Sequence, residues 1–479
     1  MRTLILGAPG TGKTTKLLSI VKDALKEGIQ PEQIAFLSFT KKAIQEAITR
    51  ASAEFGISQK RFIYFKTLHA MCYNLLGIRS DQVIQKKHYK LLGEALGIKL
   101  SGNVSQERDR WDNGDKFLFL ENYARLTQTP IKNLYDANNF EVKWFDLLDF
   151  VKCYQEFKDR EGIIDYTDML SKFVEKGSPL PVKLLIVDEA QDLCALQWSV
   201  VNILAGTCQQ VYVAGDDDQA IYKWAGAQVN EFLNLTFDEQ IVLPVSHRLP
   251  KVIHTFARRF IEKRVSKRYF KDFANRDEEG SLEYHTSYKS IDLKKPWLIL
   301  ARTNYILQKQ AEILRSQGIL FYFKDSPSIT PDHLAALNAY SKLLIGQDIE
   351  GKDAKKLAEL LGIDDSGIKT TLLYAKKDFK LSGDWFFDFK NLDKDNKDYY
   401  YMLQRCSQLN STPIVYLDTI HGSKGGEADR VLLITDVSRR VWEAPQEDEH
   451  RIFYVGMTRA KKELHIMLPQ SKLYYEVRV

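Results

Sequence analysis

Residues 7–14, Gly7-Ala8-Pro9-Gly10-Thr11-Gly12-Lys13-Thr14, constrain the fold more than any other stretch of this chain. They follow the apolar run Thr3-Leu4-Ile5-Leu6 and precede a segment with helical spacing. A strand, a glycine turn and a helix in that order make a phosphate loop: the glycines let backbone N–H groups wrap an anion, and the helix adds its positive end. Lys13 is placed to reach β- and γ-phosphates, and Thr14 offers a hydroxyl to magnesium. Gly7, Ala8, Pro9, Gly10, Thr11, Gly12 and Thr15 complete the expected cradle. Such a loop joins a strand's carboxyl end to a crossover helix, so the surrounding sheet is expected to be parallel.

The rest of the sequence fits that expectation. Short β-type runs at 3–6, 34–37, 62–65, 184–187 and 211–214 alternate with helical stretches, and a second series begins near Ile241 with runs at 297–301, 414–417, 430–434 and 463–467. Helical spacing replaces them in two places. The expected organisation is therefore α/β, two parallel-sheet domains, each with a mainly helical insertion. The first comprises 1–68 and 161–238 around an insertion at 69–160; the second comprises 239–325 and 413–479 around a small inserted subdomain at 326–412. A chain of 479 residues is long enough for roughly three or four compact units.

Composition excludes more than it assigns. No run approaches the roughly 18 apolar residues of a membrane span, so no membrane partner is expected. Lys and Arg total 68 against 63 Asp and Glu, and a net charge of +5 does not by itself indicate nucleic-acid binding. The five cysteines, Cys72, Cys153, Cys194, Cys208 and Cys406, are odd in number and form no CxxC pair. That argues against both a disulfide framework and a zinc site, and points to a reducing cytoplasm. The short apolar start, too brief for a signal peptide, agrees.

Leu184-Leu185-Ile186-Val187-Asp188-Glu189 reads as a buried strand delivering two acids to the sheet's active edge. Alternation along the strand lets Asp188 hold magnesium while Glu189 faces an attacking water as general base.

These residues carry a resemblance. The segment 188–192 (DEAQD), followed by 215–227 (GDDDQAIYKWAGA), resembles the UvrD/Rep-type superfamily 1A DNA helicases. Further matches stand in the family's order: 36–43 (FLSFTKKA), Thr67-Leu68-His69, 165–170 (DYTDML), Ser246-His247-Arg248, 419–427 (TIHGSKGGE) and 449–460 (EHRIFYVGMTRA). The resemblance implies that the two parallel-sheet domains are RecA-like P-loop NTPase domains, with ATP and Mg2+ as nucleotide and metal and single-stranded DNA and single/double-strand junctions as substrate. It implies that Arg248 and Arg459, from the second α/β domain, act on transition-state charge. Gln219 would sense the γ-phosphate, and Gly425 and Glu427 would lie against the nucleotide sugar. Phe39, Tyr222 and Trp224 occupy positions whose counterparts meet bases. Thr67, His69, Arg302, Asn304, His421 and Ser423 are weaker candidates for phosphate or base-edge contacts.

Two departures bear on nucleotide choice. The chain starts too close to Gly7 for the family's upstream adenine-reading glutamine, and His247 stands where an adenine-stacking tyrosine is typical. A looser nucleotide preference is expected. Ala225 also replaces an arginine. The basic stretch 258–271, with Phe260, Tyr269 and Phe270 among its cations, has two readings: part of a strand track, or an amphipathic helix with a solvated face. The expected activity is an ATP-dependent helicase that moves 3′ to 5′ on single-stranded DNA and unwinds duplex DNA as a monomer in replication, repair or recombination, with replication or repair proteins as partners in a bacterial or phage-infected cell. The alternatives are a translocase that displaces proteins without unwinding, and a nucleotide-gated binding or signalling module.

Overall fold

The run before the glycine loop forms β1 (Arg2–Leu6), and its residues from Thr3 to Leu6 are buried, as a strand covered on both faces requires. The first sheet adds β2 (Ile34–Ser38), β3 (Tyr64–Thr67), β4 (Leu184–Val187), β5 (Gln210–Gly215) and β6 (Glu239–Val242). Their order is β3-β2-β4-β5-β1-β6, every pair parallel. This order sets β5 between β1 and β4, so the glycine loop, the two acids and the 216–219 turn all leave the same edge of the sheet. The computed structural model describes residues 1–38, 40–103, 111–137, 141–444 and 446–478.

The chain divides into two compact units, Met1–Gly280 with Glu443–Thr458 and Arg478–Val479, and Ser281–Trp442 with Arg459–Val477. This boundary differs from the expected one. Residues 239–280 group with the first unit because β6 pairs with β1 from Thr3↔Glu239 to Leu6↔Val242. Periodicity shows that a strand exists near Ile241 but not which sheet edge accepts it.

The described residues between 69 and 160 are mainly helical. In helix Leu68–Leu75, the side chains of Leu68, Met71 and Cys72 belong to the core of the first sheet. A separate core gathers Leu92, Phe117, Leu120, Leu147, Phe150 and Tyr154. Asp165, the N-cap of helix Tyr166–Lys176, ties this insertion to the sheet: it accepts from Lys158 Nζ at 2.8 Å, Arg125 Nη2 at 2.7 Å and Tyr154 OH at 3.0 Å. Burial opposes its charge, but Arg125 and Lys158 outweigh that and hold the carboxyl well below the usual range.

The second unit contains β7 (Ser281–His285), β8 (Trp297–Ala301), β9 (Phe321–Phe323), β10 (Ser326–Pro327), β11 (Ile349–Glu350), β12 (Leu373–Tyr374), β13 (Val415–Thr419), β14 (Ala428–Ile434) and β15 (Ala460–Met467). Its main sheet runs β10-β9-β13-β8-β14-β15-β7, parallel except for the β9–β10 hairpin, and β11 pairs β12 separately. The inserted helices Pro331–Leu344, Gly351–Leu361 and Lys394–Arg405 share one continuous core with this sheet: Leu343, Leu357 and Leu403 cluster with Ile299, Val415 and Leu417.

Candidate functional site

The glycine loop is built by backbone angles that side-chain-bearing residues avoid. Gly10 and Gly12 have φ of 75° and 80°, and Gly12 caps helix Lys13–Lys26. Gly7 N donates to Gly215 O at 3.1 Å, fastening the loop to the end of β5. Lys13 Nζ donates to Gly7 O at 2.9 Å, across the loop, and a Cβ on Gly7 would stand 2.2 Å from Lys13 Cγ. The cradle therefore admits phosphate oxygens against bare backbone. Thr15 departs from the loop itself, its hydroxyl accepting from Arg50 Nη2 at 3.0 Å.

Ser246, His247 and Arg248 are stitched onto this loop from within the first unit. Buried Ser246 donates its hydroxyl to Pro9 O at 2.7 Å, and His247 N donates to Gly10 O at 2.8 Å. Arg248 reaches Thr458 O at 3.4 Å through Nη1. The motif follows β6, which pairs with β1, and falls within the first compact unit. Close packing makes a prediction. A Cβ on Gly10 would lie 2.3 Å from Arg248 Cβ, and the backbone there is left-handed. Gly10→Ala is expected to cost about 1–2 kcal/mol in backbone strain alone, and to abolish binding of a fluorescent ATP analogue in an equilibrium titration. Unchanged affinity would show that the loop relaxes freely.

The acids stand where β4 ends. Asp188 is buried, and its amide donates to Leu37 O at 2.8 Å while its Oδ1 accepts from Glu189 N at 2.9 Å. Glu189 has a φ of 54°, a left-handed conformation that costs on the order of 1–3 kcal/mol in a non-glycine residue and is found where function needs it. Gln191, fully buried, donates through Nε2 to Glu189 Oε2 at 2.5 Å and accepts at Oε1 from Asp216 N at 3.0 Å. Asp216 Oδ2 in turn accepts from Gln219 Nε2 at 2.7 Å. One chain of hydrogen bonds thus joins Glu189, Gln191, Asp216 and Gln219. Sequence reasoning did not assign Gln191 a role; an amide flanked by acids inside a motif was the available signal.

Beneath Gln219 lies a buried charge cluster, also missed. Asp216, Asp217 and Asp218 are fully buried and all three meet Lys271 Nζ, at 3.0 Å for Asp216 and 2.9 Å for Asp218, with Asp217 in a very short contact. Arg268 grips Asp218 with two bonds of 2.8 and 2.6 Å. Burial raises the Asp217 carboxyl, and Asp218 and Asp216 add to it against the pull of Lys271, leaving it at about 6. Asp218 is lowered, Lys271 and Arg268 outweighing its burial. Two cations of the basic stretch are thus spent on this cluster rather than on a solvent-facing track. Its helix, Lys251–Arg264, is amphipathic, with Ile253, Ala257, Phe260 and Ile261 buried.

Three candidate strand contacts of the first unit, Thr67, His69 and Trp224, line a cavity of about 340 Å³ together with Ser38, Tyr123 and Tyr166, among others. Ser38 Oγ is buried without a hydrogen-bond partner. Thr67 caps helix Leu68–Leu75, and burial lowers His69 to about 4, so its imidazole is neutral near pH 7. Tyr222 and Trp224 meet edge to face with centroids 6.2 Å apart. Phe39 lies outside the described residues.

The remaining candidates belong to the second unit. Arg302 and His421 are buried, Asn304 opens helix Asn304–Ser316, and Ser423 donates to Ile420 O at 2.8 Å. Gly425 has a φ of 83°. Glu427 is exposed and pairs with Lys461 at 3.6 Å. Arg459 is buried and donates through Nη1 to Gly426 O at 3.1 Å.

Comparison with known proteins decides the family. The UvrD/REP helicase N-terminal domain matches residues 1–240, half of the chain. The chain belongs to the UvrD/Rep helicase family. The UvrD-like helicase C-terminal domain matches residues 414–467, the stretch that carries β13, β14 and β15. Similar relatives include the ATP-dependent DNA helicase Rep of Buchnera aphidicola subsp. Baizongia pistaciae, 22% identical over 87% of this chain and 68% of that protein. DNA helicase II of Escherichia coli is 26% identical over 57% of this chain, and ATP-dependent DNA helicase PcrA of Staphylococcus epidermidis 25% over 54%. Those alignments span only 40% and 38% of the two relatives' own lengths. In this UvrD/Rep chain no described helix is long and apolar enough to cross a membrane.

Proposed function

We propose that the protein is an ATP-dependent motor that moves on single-stranded DNA, 3′ to 5′, and unwinds duplex DNA. The hydrogen-bond chain from Glu189 through Gln191 and Asp216 to Gln219, fastened to the glycine loop by Gly7 and Gly215, carries this reading. It holds a general base and a γ-phosphate sensor on adjoining loops beside the phosphate cradle. Lys13 binds phosphate charge, Glu189 takes the proton of the attacking water, and Gln219 orients that water. Arg248 and Arg459 neutralise charge that develops in the transition state. Glu427 and Gly425 contact the nucleotide sugar, and His247 the base. The residues present suit a magnesium ion, since a buried carboxylate and the loop hydroxyl form a hard oxygen donor set. Thr14 and Asp188 would hold it, and it would supply charge neutralisation at the phosphates. The relatives' printed activities support DNA as substrate; work in replication or repair in a bacterial cytoplasm, by a chain acting as a monomer, belongs to the same proposal.

The test is ATP turnover with and without single-stranded DNA, followed by unwinding of duplexes bearing either tail. DNA stimulation with unwinding from a 3′ tail is expected. Turnover indifferent to DNA would sink the motor reading; stimulation without strand separation would favour a protein-displacing translocase. Trp224 supplies a sharper arm. Base–aromatic stacking is worth roughly 1–3 kcal/mol per base, so Trp224→Ala is expected to raise the DNA concentration for half-maximal stimulation by about 5–150-fold, with DNA-free turnover unchanged. A smaller shift would assign the ring to packing.

A further inference from the structure

Three side chains of the second unit that the nucleotide chemistry does not use converge on one point. Glu283 and His285 alternate along β7, as Glu463 and His465 do along β15, and the register sets His465 beside Glu283 and Glu463 beside Ser281. The period of two places all four on one face of the paired strands. His285 Nε2 and His465 Nδ1 stand 2.7 Å apart, and Glu283 Oε2 lies 3.7 Å from each of these same two atoms.

The outward ring nitrogens determine what the inward ones present. His285 Nδ1 faces Ser290 Oγ at 2.8 Å, and that hydroxyl gives its own proton to Ser287 O at 3.0 Å. His285 Nδ1 is therefore the donor. His465 Nε2 faces the Glu463 carboxylate at 3.3 Å, which only accepts, so the hydrogen is on Nε2 there as well. Imidazoles in these tautomers aim two lone pairs at each other, with a carboxylate oxygen beside the gap. Three acceptors so placed repel one another unless a cation joins them.

We infer that Glu283, His285 and His465 form a binding site for a divalent late-transition ion, zinc by its donor set. Zinc bonds of about 2.0–2.2 Å to nitrogen and oxygen set tetrahedral ligands roughly 3.3 Å apart, and the observed separations of 2.7, 3.7 and 3.7 Å bracket that value. Two imidazoles with one carboxylate suit zinc and its neighbours, whereas magnesium and calcium take oxygen ligands. The outward contacts to Glu463 and Ser290 are the kind that orient ligating histidines, and Glu463 is itself held by Arg430 at 2.9 Å. Trp297 packs edge-on against His465 with centroids 4.7 Å apart. Both histidines are buried while the Glu283 side chain is 54% exposed, which leaves the fourth position to water. Cysteine spacing pointed away from zinc; this donor set contains no cysteine and needs none. β7 is the outermost strand of its sheet and the first element of the second unit, so the ion fastens that entering strand to β15.

The test uses the full chain, free of any histidine tag, stripped with chelator and dialysed. Zinc titration by calorimetry is expected to show one equivalent bound and a rise in Tm, and cobalt(II) is expected to give the visible absorption of a tetrahedral site. His465→Gln and His285→Gln should lose both. Glu283→Gln, at an exposed position where folding is not at stake, should keep the metal-free Tm and weaken zinc at least about tenfold; Glu463→Gln should weaken it about 10–100-fold. Absence of stoichiometric zinc in the parent chain, or equal binding by parent and variants, overturns the site. So does a zinc-insensitive Tm with imidazolium signals from the pair, which would make the shared cation a proton.

Discussion

Replacing Glu189 with glutamine is expected to reduce ATP turnover by about 10²–10⁴-fold, the usual contribution of a positioned general base, while nucleotide affinity changes little. The carboxylate at this position accepts from Gln191 Nε2, and the amide of the variant retains an oxygen that can do the same. It cannot take a proton from water. The substitution therefore removes the chemistry while sparing the arrangement, and affinity for a non-hydrolysable ATP analogue should remain within a few-fold. Steady-state turnover with saturating single-stranded DNA measures the first quantity and equilibrium binding the second. A loss of less than tenfold would assign the base elsewhere. Gln191→Ala separates positioning from chemistry: it leaves Glu189 chemically intact but frees it from Asp216, so turnover should fall with a pH profile of unchanged shape.

How much of this site could be read beforehand depended on where each constraint resides. β1 and β4 are buried on both faces, so they read as uninterrupted apolar runs ending in the glycine loop and in Asp188-Glu189. Their loops carry local signatures, and these were legible. β7 was not: Ser281-Leu282-Glu283-Tyr284-His285 is an edge strand, largely half-buried or exposed, with no apolar run to mark it. The allegiance of β6 was hidden for a different reason, because it depends on pairing with β1 across more than 230 positions of chain. The same distance effect concealed Lys271 and Arg268. Within their own neighbourhood they are two cations in a basic stretch, and only the fold brings them to acids at 216–218. A charge run in sequence does not reveal which of its members will be buried.

Removing the Lys271 charge tests that cluster directly. Lys271→Met is expected to destabilise the first unit by about 3–5 kcal/mol, the range for breaking a buried ion pair from one side, because Asp216 and Asp217 would lose the ammonium while remaining out of water. The deficit should depend on pH, with a defined sign. The Asp217 carboxyl is raised to about 6 in the folded chain, above an unfolded value of about 3.9. Its favourable contribution is thus complete below the unfolded value and is lost as pH rises through 6. Without Lys271 the proton is needed more, so the deficit should be larger at pH 8 than at pH 5. Adding Asp217→Asn to Lys271→Met removes one buried negative charge and should recover part of the loss, most visibly at pH 8. Denaturant unfolding of parent, single and double variants at both pH values measures all of this. The functional consequence follows from Asp216, which holds Gln219 Nε2 and takes its own counter-charge from Lys271. Once that carboxylate can turn away, the γ-phosphate sensor loses its anchor, and turnover should fall in the folded variant even at pH 5. A deficit below about 1 kcal/mol that is the same at both pH values would mean the acids find water or other cations, and the cluster would not be what positions Gln219.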